Sequence, residues 1–549
     1  MPVLPIRNLG ATGVITDIDA FNLPIGAFTT GINVRFSDDN IERAPIPRLA
    51  YEWGNGSTKN PVHVHTVRTS ATEIDKIVVI YDDFEMETFE NRSFDATNSF
   101  TSTGSTSNEV ITSTTLANVD YFNRFDQAPV KRTSDGAFAE MTNFPNTIKC
   151  KSLRAYGDFL IALNTQEDSV NYSERVRWSD ITAANSEPST WDATDLDASA
   201  GFNDIAPLKT PIVDGATLGT NFIIYSSDQV WQMEFVGGSF VFNFRKLFDD
   251  CGVINQNCVV EAKGRHYVFD RNDIYVHDGI TRESICDGRV RDFIFTNINL
   301  AKTPKCFVTH IEALEEIYFC YASTDEYTGF KDLPARTNTG SNGCNRAAVY
   351  NYKANTWSFV DLPNVWGSCI ANLGTVSQFN ESNLQYDTTG ATYAALDSKF
   401  QEYPVFISEK EADIEITKSR LLGYDRLDAS LLALPQVTEL IKECCLERVG
   451  IDLDDVTSLP LATYKVVRRI TPQISSKSQD QTFLFSFGAA NLLAETPVFN
   501  APQMFNPMSQ YKVDTRISGR FFSYKMTTED LKDFKFSGMD LDIVATGRR

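Results

Sequence analysis

Apolar and polar residues alternate over short distances along most of this chain, the period of strands rather than helices. Residues 219–279 show the pattern best. An aromatic-aliphatic run at 222–225 precedes a polar turn, Ser226-Ser227-Asp228, and a second apolar run at 230–233. The same order returns 45 residues later: 267–269, then Arg271-Asn272-Asp273, then 274–277. Gly219, Phe222 and Asp228 recur as Gly264, Tyr267 and Asp273, whereas Tyr225 recurs as Asp270. A repeat of this length built from short strands and polar turns is the signature of β-propeller blades.

Other segments follow the same grammar. Gly31-Ile32-Asn33-Val34-Arg35-Phe36 reads as a strand, Ser37-Asp38-Asp39-Asn40 as a hairpin turn, and Ile41-Glu42-Arg43 as the returning strand. Residues 62–67 alternate strictly, and 77–81 form a continuous buried run. A further blade is expected over 148–200, where Trp178 and Trp191 should wedge between neighbouring blades. Another begins at Cys306 and closes with a hairpin around Asn355-Thr356-Trp357. Residues 82–147 change character: 98–107 are polar and of low complexity, which predicts an inserted hairpin or small subdomain with an extended loop. Val437, Leu440, Ile441, Cys444 and Cys445 take helical spacing with Gly450 as a cap, which predicts one amphipathic helix.

These elements give a mainly β protein: a β-propeller-like core, an inserted subdomain and a C-terminal β-rich, platform-like region containing one short helix. The expected domains are an N-terminal arm at 1–49 that docks on an adaptor or neighbour, a propeller-like domain at 50–375 with the insertion at 82–147, and a C-terminal domain at 376–549. For residues 31–43, pairing with C-terminal strands of the same chain is the competing expectation.

Composition narrows the function. The 549 residues carry a net charge of -22, so gripping nucleic acid through its phosphates is disfavoured. A wall of that sign repels DNA and lets it slide. No apolar run is long enough to span a membrane, and the opening residues lack the basic start and apolar core of a signal peptide. Ten scattered cysteines without a C-x-x-C pair suit reduced thiols; Cys444 and Cys445 read as core thiols.

Catalytic signatures are missing: there is no phosphate-binding loop, no H-E-x-x-H, no G-x-S-x-G and no dinucleotide fingerprint. His63 and His65 share a strand face, a possible start for a metal site, but no nearby His or Cys completes it. His266 and His277 fall in strands of the repeat and read as packing or rim residues, and the fifth histidine is His310. Asp192, Asp195 and Asp197 echo a calcium loop without its order or terminal Glu. No catalytic, cofactor or metal residue is assigned and no cofactor is expected.

Taken in order, several stretches resemble the tail nozzle proteins of short-tailed bacteriophages (podoviruses), also called packaged-DNA stabilization proteins. They are Leu23-Pro24 through Phe36; Val176-Arg177-Trp178-Ser179-Asp180 with Pro188 and Trp191; Tyr225 through Trp231; Asp249-Asp250-Cys251-Gly252; residues 269–279; residues 517–524; and residues 538–543. The resemblance covers about two thirds of the chain; residues 82–147 and 400–500 match nothing in the pattern. It implies a structural virion protein, not an enzyme: a homohexameric tube below the tail adaptor ring, near tail fibres, tailspike or needle proteins. Such a tube closes the DNA channel in the filled particle and conducts the genome during ejection, with double-stranded DNA passing through without specific binding and no membrane insertion. It also implies assembly in the host bacterial cytoplasm and residence in the virion tail. Residues 98–115 and 336–345 are the candidate gate loops. The alternatives are a receptor- or glycan-binding propeller module of a phage tail, or a propeller glycoside hydrolase.

Overall fold

A computed structural model describes residues 3–54, 59–67, 75–90, 93–102, 104–238, 240–324, 343–373, 402–409, 418–425, 437, 440, 443–452, 464–476, 480–492, 495–530 and 532–547. The described chain is mainly β, with a single α-helix, Arg291–Asn297.

Short strands are set in register by two-residue turns. Ser37 pairs with Asn40, Leu116 with Val119, Glu167 with Val170 and Ala262 with Arg265. Both turn residues have positive φ in each case: Asp38 and Asp39, Ala117 and Asn118, Asp168 and Ser169, Lys263 and Gly264. That is the type I′ geometry, whose twist matches the flanking strands. Gly219 and Gly264, the paired glycines of the repeat, occupy the same turn of successive sheets, at φ 60° and 73°.

Five separate four-stranded antiparallel sheets follow one another. Sheet 1 is Pro61–Val67, Lys76–Tyr81, Met86–Glu90 and Ser93–Phe100. Sheet 2 is Ile111–Leu116, Val119–Arg124, Val130–Arg132 and Phe138–Glu140. Sheet 3 is Ile148–Tyr156, Phe159–Glu167, Val170–Trp178 and Gly201–Asp204. Sheet 4 is Ile212–Leu218, Asn221–Ser226, Gln229–Phe235 and Phe242–Asp249. Sheet 5 is Val259–Ala262, Arg265–Phe269, Ile274–His277 and Arg282–Ser284. A sixth meander, Phe307–Ile311, Glu316–Tyr321, Cys344–Asn351 and Thr356–Ala371, repeats the pattern inside a larger sheet.

Neighbouring sheets share buried cores. Val78, Ile80 and Met86 of sheet 1 pack with Ile111, Phe122 and Val130 of sheet 2. Trp191 packs between sheets 2 and 3 with Phe144, and Trp178 between sheets 3 and 4, the positions their spacing predicts. The last strand of the sixth meander is long. Beyond Val365 it leaves Cys344–Asn351 and pairs with Tyr403–Ser408, which pairs with Arg420–Asp425, which in turn pairs with Ile46–Glu52. Ala371, Tyr403, Val405 and Ile407 of this extension pack on Val64, Ile77 and Val79 of sheet 1. Sheets 4 and 5, the sixth meander and the terminal strands share one large core.

The chain ends form a platform together. Phe534–Gly547 pairs with Tyr464–Ser476, Val3–Arg7 and Asn40–Arg43. Thr30–Ile32 lies between Thr356–Ala371 and Cys444–Ile451. Residues 31–43 therefore pair with C-terminal strands of their own chain. Arg35 clamps them: its Nε lies 2.7 Å from Glu316 Oε1 and its Nη1 3.0 Å from Glu42 Oε2, all three side chains being buried.

Two expectations are corrected. Residues 82–147 are not an insertion: they hold the outer strands of sheet 1 and all of sheet 2. Their Thr and Ser residues suit strands whose polar side chains bond across to the next sheet. The described residues of 98–115 form the end of one strand, part of a connection and most of the next strand. The connection is tied down by Ser107 N–H to Asp82 O (3.0 Å) and Arg124 Nη2 to Ser105 O (3.1 Å). Most of the other gate candidate, 336–345, lies outside the described residues. The expected helix is also replaced: Cys444–Ile451 is a strand hydrogen-bonded on both edges, to Thr30–Ile32 and Phe521–Thr528. A strand covered on both faces carries apolar residues on both, and a short window of such residues mimics helical spacing. Ile441 lies outside the described residues. Gly450, at φ 76°, sits in the register shift between Arg448 and Ile451, so it makes a bulge rather than a helix cap.

Close backbone approach explains Gly252. A Cβ there would lie 2.2 Å from Ser226 O and 2.4 Å from Ser227 C. Gly252→Ala is expected to destabilise the protein by about 1–3 kcal/mol in urea titration. Gly54→Ala, which meets open space, should stay within about 0.5 kcal/mol of wild type.

Candidate functional site

The first strands of all six meanders face one cavity of about 430 Å³. His63 and His65 reach it from sheet 1, Ser113 from sheet 2, Arg154 from sheet 3, Asp214 and Thr217 from sheet 4, Asn257 from just before sheet 5, and Phe307 from the sixth meander. Trp366 and Ser368 of the long strand complete the wall.

Strand alternation puts His63 and His65 on one face, as the H-x-H spacing requires. Both converge on a single hydroxyl: Ser113 Oγ lies 2.9 Å from His63 Nε2 and 3.1 Å from His65 Nδ1. His65 Nε2 is 3.2 Å from Asp120 Oδ1. Burial, then His65 and Arg154, push the His63 imidazole down to about 3. The pair thus stitches sheet 1 to sheet 2 through hydrogen bonds. No group of three or more His, Cys, Asp or Glu among the described residues is placed to hold a metal ion.

Asp214 is the hub of the opposite wall. It accepts from Ser152 Oγ (2.6 Å), Arg154 Nε (2.9 Å), Arg154 Nη2 (2.6 Å), Asn257 N (2.9 Å) and Gly215 N (2.9 Å). Arg154 also donates to Ser113 O at 3.1 Å and to Asn257 Oδ1 at 2.8 Å. Asn257 Nδ2 reaches Ile111 O at 3.0 Å. Burial alone would raise the Asp214 carboxyl, but Arg154, Ser152 and the Asn257 N–H hold it below the usual carboxylate range. Residues of three sheets and of the segment leading into sheet 5 meet in this one network. Its carboxylate is saturated by five donors, so it is a joint rather than a free general base.

His266 and His277 form a second buried cluster. They sit opposite each other in sheet 5, and both contact Tyr225 OH of sheet 4, at 2.7 and 2.6 Å. The surroundings assign every proton. His266 Nε2 faces Thr217 O at 2.9 Å, so it donates there and its Nδ1 accepts from Tyr225. Gly279 N–H donates to His277 Nδ1 at 3.2 Å, so His277 Nε2 donates to Tyr225. Both imidazoles are used up in their neutral forms. Burial lowers His266 to about 4; burial and His266 lower His277 to about 3, and burial raises the Tyr225 hydroxyl far above its ordinary value. His310 stands apart, 3.3 Å from Tyr352 OH.

The remaining sequence candidates are structural. Asp192 caps Thr194 N–H at 2.8 Å and Asp195 caps Asp197 N–H at 3.0 Å, the turns that such residues make locally. All ten cysteines are free. Cys444 and Cys445 are buried neighbours in a strand, whose side chains point to opposite faces, so they make no redox pair. Arg154, Asp214, Asn257 and Tyr225 drew no attention in the sequence as site residues. The one available signal was a lone charge inside a strand run, as in Leu153-Arg154-Ala155 and Val213-Asp214-Gly215.

No protein-family model matches the chain, and no curated protein matches it. Among solved structures it is similar to the computationally designed Ika8 protein, at 7% identity and a TM-score of 0.36, covering 69% of this chain and 100% of that one. It is also similar to Raptor of Chaetomium thermophilum, at 8% identity and a TM-score of 0.39, covering 70% of this chain and 30% of that one.

Proposed function

We propose that this chain is the structural subunit of the tail nozzle of a short-tailed bacteriophage, a homohexameric ring that closes the DNA channel and conducts the genome. In this reading the six meanders are the blades of one propeller. Their first strands share one cavity, successive sheets share cores, and the long strand Thr356–Ala371 joins the last blade to the first.

The observation that carries the reading is where the family-like motifs fall. They occupy joints that tolerate little change. Trp178 Nε1 donates to Ser199 O at 2.8 Å, and Asp180 accepts from Ser199 N at 2.9 Å and Ser189 Oγ at 2.7 Å. Gly252 abuts the turn of sheet 4. A Cβ on Gly519 would lie 2.7 Å from Ala489 Cβ, and one on Gly538 2.5 Å from Ile6 O. Asn33 and Arg35 tie the N-terminal motif to the sixth meander. Asn33 Oδ1 accepts from Asp361 N at 2.9 Å.

The charge supports a conduit. Six copies carry 6 × (-22) = -132 formal charges, and an acidic lumen repels phosphate instead of binding it. The titratable clusters around the cavity are satisfied by one another, which suits a scaffold better than a hydrolase. A glycan-binding propeller is the second reading, favoured by the polar cavity; it predicts a hit on a glycan array.

Native mass spectrometry of the purified protein, alone and with a candidate tail adaptor, tests the proposal. Six copies, alone or on the adaptor, are expected. A stable monomer that ignores the adaptor at micromolar concentration overturns it.

A further inference from the structure

Two surface segments differ from the rest of this acidic chain. The first, residues 491–492 and 495–511, contains one charged residue, Glu495, in a chain that is 22% charged. Within it Leu492, Val498, Met504, Met508 and Tyr511 are 66%, 82%, 65%, 57% and 70% exposed. Val498–Phe499 and Gln503–Phe505 pair with Phe483–Ala490 and, among the described strands, form the border of the platform sheet. Pro497, Pro502 and Pro507 flank these strands and block addition of a further strand. The surface is therefore suited to side-chain packing.

The second segment is the hairpin between Gln229–Phe235 and Phe242–Asp249. Residues 235–244 carry no charge. Phe235, Val236 and Phe240 are 52%, 52% and 80% exposed, around Gly237 and Gly238, whose φ values of 69° and 88° reverse the chain. Phe235 is braced from beneath by Phe159, at 5.8 Å between ring centroids.

We propose that the apolar border around Val498 and Met504 of one copy packs on the Phe240 hairpin of a second copy of this chain. This contact rests on the ring reading above and names where the ring is joined. The charge argues for a second copy as occupant. Two copies at -22 each repel through most of their surfaces, and apolar patches poor in charge let them meet with the fewest like charges opposed. A basic partner would gain most on acidic surface, away from both patches. Because the two patches differ, their contact is head-to-tail, the kind that closes into a ring by rotation.

Two variants test this: Val498→Glu with Met504→Glu, and Phe240→Glu. All three side chains are exposed, so each variant should melt within about 2 °C of wild type. Each alone is expected to stay monomeric, associating at least about tenfold more weakly than wild type. Mixed in equal amounts they should form a one-to-one dimer and nothing larger, since only one intact border and one intact hairpin can meet. If both variants assemble like wild type, or the mixture yields no dimer, the contact is wrong. If the variants leave a wild-type ring untouched, the contact falls while the ring reading stands. If wild type itself stays monomeric with and without the adaptor, both fall. Loss of binding to phosphatidylcholine vesicles in Phe240→Glu, with assembly unchanged, would assign the hairpin to a membrane and also overturn the contact.

Discussion

Asp214→Ala is expected to cost about 3–5 kcal/mol, the usual penalty for breaking one side of a buried ion pair. The side chains of Arg154 and Asp214 are 17% and 4% exposed, and the pair lies 2.6 Å apart. Removing the carboxylate takes away the guanidinium's ionic partner in a wall built by three sheets and leaves Ser152 Oγ and the Asn257 N–H without their acceptor. The loss should appear in urea titration as a lower midpoint or as a separate early transition of the sheets. Arg154→Met combined with Asp214→Leu should recover a large part of it, because two apolar groups leave no buried charge. A loss below about 1 kcal/mol in the single variant would mean that the network is wet and contributes little.

Acid should weaken the protein well before its carboxylates titrate. His63, His266 and His277 are held at about 3, 4 and 3, against 6.5 in an unfolded chain. Between pH 6.5 and about 4 the unfolded state binds protons that the folded state refuses, so stability falls as pH falls. The slope is up to about 1.4 kcal/mol per pH unit for each group. Burial decides the sign for all three rings, and the charged groups nearest them only modulate it. Arg154 and His65 disfavour charge on His63 and His266 disfavours it on His277, while Glu261 and Asp278 pull the other way on His266 and His277 without overcoming burial. Geometry agrees, because a proton on His277 Nδ1 would face the Gly279 N–H. Asp270 and Glu447, both raised chiefly by burial, offset part of the loss. Melting temperature measured from pH 7 to 4.5 should fall steadily. In His266→Gln with His277→Gln the slope should drop by about two protons' worth. An unchanged slope would mean that these imidazoles titrate near 6.5 in the folded protein.

Much of the fold was legible from local pattern. The repeat at 219–279 gave two real sheets because its glycines mark turns of positive φ and its aromatic runs fill the cores between sheets. Trp178 and Trp191 were placed correctly for the same reason: a large ring inside a strand-rich segment has few places to go except between layers. The candidate site was less legible. The H-x-H spacing pairs His63 with His65, but their partner is a serine about 50 residues away, a residue type too common to single out. Asp214 and Arg154 lie 60 residues apart, and nothing near either one announces the other.

Strand content, turn positions, the repeat and the acidic balance follow from the sequence by itself, because each depends on residues within a few positions of one another or on a simple sum. Tertiary structure alone decided which strand completes which sheet. Residues 31–43 lie against strands some 400 to 500 positions away, 82–147 complete one ordinary sheet and build the next, and Cys444–Ile451 is a strand because it has neighbours on both edges. Those outcomes depend on burying backbone and apolar surface over the whole chain at once, and an unpaired backbone group in a core costs more than a local preference for another conformation can return.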